Sequence, residues 1–335
     1  MTYDNGKPFS SLDEQIALLK NRGIKIENLD YAKQVLLNNN YYSIINGYKD
    51  PFLKKFNNQV EKPEKFIEGT TFSDIYTFYK FDRDLRNVLL NYLLMFETRL
   101  KSIISYEFSK KYPEPYSYLN INNYSDTAEN LSDVLKNLKN LSLRLNKGRS
   151  ERAGKPSVKH YVSAYNHVPI WVLINTLTFG EVQFFYDALD QDLKNKVTKD
   201  FSDYYKNHWI TQEKIDVGEL KSLIIIANFY RNVCAHGERL YNYKLRVRIH
   251  KSAFRKYFKS SPIFDNLNAP IDLYSIISLL SIVMNRKEYK GMLHTLKSSI
   301  DRCNHQLKVI GMSDVYELMG FPKVDWKGKI QVKGI

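Results

Sequence analysis

The chain has 335 residues, 43% of them hydrophobic, and a formal net charge of +14, enough apolar content to bury a large core in one elaborated domain or two. Two cysteines exclude a disulfide framework and a thiolate cluster, and the seven histidines show no metal-ligand spacing, so neither a metal nor any other cofactor is expected. The basic balance favours a polyanionic partner, nucleic acid before an anionic membrane surface.

Residues 1–10 read as a disordered lead with no apolar signal core, and no apolar run reaches about 18 residues, so a cytoplasmic protein that does not enter the membrane is expected. Ser11 and Glu14 form a capping box that opens a short helix closed by Gly23, and Asp30 is the expected cap of a second. Residues 40–60 are turn-rich and aromatic (Tyr41, Tyr42, Tyr48, Phe52, Phe56), a pattern open to core packing or to base stacking. The longest helical period covers residues 71–112, with Leu85, Leu89, Leu93, Phe96 and Leu100 inward and Pro113 as its stop. Glu97 and Arg99 interrupt its apolar centre, either as ion pairs to other helices or as support for a site. A helix over 127–145 is expected to end at Gly148. The loop after it carries Lys147, Arg149, Arg152, Lys155 and Lys159 against Glu151 alone, which suits phosphates or a solvated linker. Val168-Pro169 starts another helix, with Trp171, Leu173, Ile174 and Leu177 inward until Gly180, before two shorter ones over 181–189 and 191–201.

The most informative stretch is 220–242. An apolar helical run leads into Arg231-Asn232-Val233-Cys234-Ala235-His236, and Gly237 is a natural helix stop. Helical spacing puts Asn232, His236 and Arg239 on one stripe, with Arg231 about 140° round from His236. From 239 to 264 there are eight basic residues and no acid, among them Arg239, Lys244, Arg246, Arg248 and Lys251. Residues 244–250 alternate with period two, so an extended segment there would present a cationic face suited to phosphates. Helices over 271–284 and 287–309 and a docked tail over 312–326 complete the chain.

RNA carries its own nucleophile, the 2′-OH, so its cleavage requires only a proton-transfer group and a cation on the phosphorane. His236 and Arg231 suit these roles, and Asn232 can orient one of them. A helix-end arginine and an exposed histidine without chemistry would give the same spacing. The run Arg-Asn-Val-Cys-Ala-His-Gly-Glu-Arg-Leu-Tyr-Asn resembles the R-x4-6-H signature of HEPN ribonucleases in the form carried by the abortive-infection Abi family, AbiD/AbiF type. Similar stretches are Leu12-Asp13-Glu14-Gln15-Ile16, Asn40-Tyr41-Tyr42-Ser43, Phe81-Asp82-Arg83-Asp84-Leu85-Arg86 with Glu97-Thr98-Arg99, and Met319-Gly320-Phe321-Pro322.

Helical periodicity predicts an all-α protein, and the resemblance implies a HEPN-type helical bundle. The expected organisation is an amino-terminal helical extension (1–70), a core carrying the motif and basic segment (71–264), and a carboxy-terminal helical cap (265–335). Expected catalytic residues are Arg231, Asn232 and His236, with Glu97 and Arg99 as possible support. Expected RNA-binding residues are Arg239, Lys244, Arg246, Arg248, Lys251, Arg149 and Arg152. The resemblance further implies phage defence by a conditional toxin, metal-independent endoribonuclease activity, a homodimer that joins two motifs, and RNA as substrate and as a structured regulatory partner. The alternative is a non-catalytic RNA-binding protein of a defence or toxin-antitoxin system.

Overall fold

The structure is a computed structural model that describes residues 9–57, 59–150, 152, 154–247, 249, 251–258 and 269–321. Most of the lead expected over 1–10, Arg248 of the basic segment, and the tail beyond Phe321 lie outside the described residues. The fold is all-α. Its helices are α1 (Leu12–Asn21), α2 (Leu29–Asn39), α3 (Phe72–Lys111), α4 (Leu131–Arg149), α5 (Pro156–Tyr165), α6 (Ile170–Leu173), α7 (Phe179–Ala188), α8 (Gln191–Trp209), α9 (Val217–Ala235), α10 (Leu273–Leu280), α11 (Arg286–Gln306) and α12 (Met312–Leu318). A two-residue hairpin, Lys55–Phe56 against Gln59–Val60, is the strand pair among the described residues. None of the described helices is long and apolar enough to cross a membrane.

Local chemistry explains most boundaries. Ser11 accepts from the Glu14 N–H while Glu14 reaches back to the Ser11 N–H, closing the expected capping box. The second helix starts earlier than expected. Asn28, not Asp30, accepts from the Tyr31 N–H, because a cap must precede the turn it serves. Thr71 and Asp74 cap the 40-residue α3 reciprocally, and it stops two residues before Pro113. Gly148 does not end α4. It is buried inside the last turn, where an added Cβ would meet Val158 of α5 at 3.0 Å, so its small size serves helix packing. Gly180 likewise lies inside α7, since Thr178 and Glu181 form a capping box that starts the helix at Phe179. The helix expected from Val168 is brief: α6 has four residues and passes into a 3-10 turn, Ile174–Thr176. Trp171, expected inward, is 51% exposed.

The chain packs into two compact units. The first gathers the described residues of Met1–Val88, Gly237–Tyr243 and Leu293–Val324. Its core joins Leu19, Leu36, Ile44, Phe52, Ile75, Phe78 and Leu85, and Phe78 meets Tyr241 edge-on at 4.7 Å. At its centre the fully buried Asp82 accepts from the backbone N–H groups of Leu240 (3.1 Å) and Tyr241 (2.7 Å) and from the Tyr48 hydroxyl (2.7 Å). Arg86, one turn on, pairs with the same carboxylate and donates to the Glu238 carbonyl at 3.1 Å.

The second unit gathers the described residues of Leu89–His236 and Lys244–Met292. Phe96 of α3 packs edge-on against Phe179 (5.9 Å) and Phe201 (5.7 Å). The Trp209 indole donates to the Met284 carbonyl at 2.9 Å, and Tyr230 of α9 donates to the Ile271 carbonyl at 2.9 Å. Glu219, 1% exposed, accepts from Tyr257 and pairs with Lys256, each at 2.7 Å.

Replacing Asp82 by Ala removes an acceptor shared by four donors and strands the buried Arg86, so a loss of about 3–5 kcal/mol is expected. Urea denaturation would measure it; a loss under about 1 kcal/mol, the range of an exposed pair, would show that the buried cluster contributes little.

Candidate functional site

Helix α9 opens on an Asp216–Glu219 capping box and runs with Leu220, Ile224, Ile226, Ala227, Tyr230 and Val233 buried. It ends at Ala235. His236 is the cap residue, its N–H donating to the Asn232 carbonyl at 2.9 Å, and Gly237 leaves the helix with φ +71°. Only a residue without a side chain adopts that angle freely. The stop decides what the last turn presents. Asn232 and His236, four residues apart, are exposed, whereas the Arg231 side chain is 24% exposed.

Arg231 turns toward Glu97 of α3, its Nε 3.5 Å from Glu97 Oε2. Neither atom makes a hydrogen bond. The other oxygen of Glu97 accepts from Lys101 Nζ at 2.7 Å, and Lys101 donates also to the Leu177 carbonyl at 2.8 Å. Glu97 is 5% exposed and Lys101 9%. Of the two residues that interrupt the apolar centre of α3, Glu97 therefore lies beside Arg231. Arg99 is engaged elsewhere: its guanidinium donates to the Val283 carbonyl and to Glu288 (3.0 Å), and stacks over the Tyr204 ring at 4.1 Å. Lys101 went unread in the sequence, although its i, i+4 spacing from Glu97 was the available signal.

Arg239 is not on a continued helical stripe, because the helix has already ended. It belongs to the first unit, exposed, and donates to the Gly47 carbonyl at 3.3 Å. Lys244 and Arg246 are exposed on either side of the buried Leu245, the alternation expected of an extended segment. Among the described residues, pairing here is confined to one bridge, Leu245 with Ile271, and no strand forms. Lys251 opens a 3-10 helix, Lys251–Tyr257.

Lys147 and Arg149 belong to the last turn of α4 rather than to a loop, and Arg152 follows in a turn; all three are exposed. Lys147 and Arg149 line an open groove with Leu143, Asn146, Ser150, Arg144 and Glu181. Arg144 grips Glu181 through two nitrogens at 2.8–3.0 Å.

The sequence profile of a family described as Abi-like protein matches residues 34–242, well over half of the chain. The chain belongs to the Abi-like family. The Abi-like match takes in α3 with Glu97 and Lys101 and ends just beyond the Arg231–His236 turn, and membership supports a role in phage defence. No curated protein and no solved structure matches the chain.

Burial alone would push the Glu181 carboxyl up, but the Arg144 fork and the Thr178 N–H outweigh it and hold the group below the usual carboxylate range. A depressed carboxylate contributes stability that is complete above its unfolded pKa, about 4.3, and is lost as pH falls through the lower folded value. Arg144→Met removes the main cause. Urea midpoints between about pH 5 and pH 3 should therefore fall less steeply in the variant; equal slopes would mean that the pair adds nothing to acid stability.

Proposed function

We propose that this Abi-like protein is a HEPN endoribonuclease of the AbiD/AbiF type that cuts RNA by metal-independent transesterification. The observation that carries the reading is the end of α9, where an otherwise buried helix presents Asn232 and His236 outward beside a half-buried Arg231. A helix that serves packing alone has no need of that trio at its exit. Family membership adds the biological setting, in which halting the infected cell limits the phage.

In this reaction a base removes the proton of a 2′-OH, the oxygen attacks the adjacent phosphorus, and the P–O5′ bond breaks. The products are a 2′,3′-cyclic phosphate and a 5′-OH, the leaving oxygen taking a proton from an acid. His236 moves protons, Arg231 stabilises the phosphorane and Asn232 orients one of them or the phosphate. In-line displacement places base and acid on opposite sides of the phosphorus. One chain carries one motif histidine, so a homodimer supplies the second.

Total cellular RNA incubated in EDTA with wild-type protein should acquire new 5′-OH ends, and protein carrying His236→Ala or Arg231→Ala should make none while retaining its melting temperature. Cleavage that survives in both variants would sink the site assignment.

A ribonuclease in its own cytoplasm has to be held silent. The exposed cations Lys244, Arg246, Lys147 and Arg149 suit a structured regulatory RNA, which binds through phosphates and is released by salt. The protein purified at physiological salt should carry copurifying RNA that leaves at high salt; protein free of nucleic acid from the outset would count against this regulation.

A further inference from the structure

The Arg231–Glu97 ion pair differs in kind from the Arg144–Glu181 pair of the same unit. Arg144 meets Glu181 as a fork, with three contacts between 2.8 and 3.0 Å, the geometry in which guanidinium and carboxylate satisfy each other. Arg231 Nε lies 3.5 Å from Glu97 Oε2, and both of these atoms are buried without a hydrogen bond. Lys101 accounts for the difference. Its ammonium holds the other oxygen of Glu97 at 2.7 Å and is itself pinned by the Leu177 carbonyl at 2.8 Å, in the turn that leads into the α7 cap at Thr178. The carboxylate is thus committed before Arg231 reaches it.

Charge makes the same point. Glu97, Lys101 and Arg231 carry two positive charges and one negative, with Glu97 and Lys101 both at least nine-tenths buried. An uncompensated charge in such surroundings is expensive, and an arriving anion relieves it. The most exposed member is Arg231, whose side chain is 24% exposed against 11% for Lys101 and 7% for Glu97, and it is next in sequence to the exposed Asn232.

We infer that Lys101 is a positioning residue: by occupying Glu97 it prevents a closed Glu97–Arg231 pair and keeps the guanidinium cationic and open to a phosphate oxygen of RNA. The inference rests on the reading of Arg231 as the phosphate-handling group. Without Lys101 the carboxylate would turn to Arg231 and neutralise it, so an arginine left untouched in sequence would lose its ligand.

The test is binding of a 2′-O-methyl RNA oligonucleotide, which offers phosphates but no nucleophile, measured by fluorescence anisotropy at fixed salt with folding followed by circular dichroism. Lys101→Met should weaken binding about tenfold, and adding Glu97→Gln should restore it to within about twofold of wild type, since the competing charge is then gone. Glu97→Gln alone should bind at least as tightly as wild type. A double variant as weak as Lys101→Met, or Lys101→Met with wild-type affinity, overturns the inference. If Lys101→Met fails to fold, Glu97→Gln decides: a tenfold loss there would mean that Glu97 holds Arg231 in place rather than competing for it. Arg231→Ala separates the two levels. Unchanged affinity in Arg231→Ala overturns the phosphate reading together with this inference, whereas a weakened Arg231→Ala beside an unaffected Lys101→Met overturns the inference alone.

Discussion

A carboxylate with no access to water governs the first unit. Asp82 takes the N–H groups of Leu240 and Tyr241, the Tyr48 hydroxyl and the Arg86 guanidinium, and each of these donors would be costly to bury without an acceptor. The contact ties a short segment, Gly237–Tyr243, to that unit through the buried Leu240 and Tyr241, with Tyr241 packed among Tyr48 and Phe78. Hydrophobic burial alone would tolerate several placements of that segment. The paired N–H groups at one carboxylate admit a single register.

Two arrangements of buried charge in the second unit contrast. Glu219 and Glu181 are met at short distance by cations and hydroxyl or backbone donors, and nothing is left over. Around Glu97 the balance is uneven, two cations to one anion, with Arg231 the most exposed of the three side chains. The contrast is visible within one set of helices, which makes it more informative than either arrangement taken singly.

Much of this was open to reading in the linear chain. Period 3.6 located α3 to within one residue at each end, and the capping box at Ser11 and the stop at Gly237 were local signals with local causes. The exposure of Asn232 and His236 follows from the same stop. What escaped depends on neighbours distant in sequence. Gly148 resembles a helix terminator until Val158 is seen against it. Trp171 has the spacing of a core residue, but α6 turns Ile170, Val172 and Leu173 inward and leaves Trp171 on the outer side. Nothing local distinguishes Glu97, which meets Arg231, from Arg99, which meets Glu288. Lys101 reads as an ordinary helix cation until its carbonyl partner is located 76 residues away at Leu177.

The long reach of the Asp82 contacts has a consequence for how the protein is made. Its backbone donors lie 158 and 159 residues further along the chain, and the neighbouring Asp74 and Asp84 find partners at Lys308 and Arg302, later still. At ordinary elongation rates the ribosome takes roughly 10–30 s to supply the first of these. Throughout that interval Asp82 and Arg86 lack their complete set of partners. The turn bearing Arg231, Asn232 and His236 is translated immediately before those two residues. The motif is therefore translated before the first unit can be completed, since Leu293–Val324 of that unit is still to come.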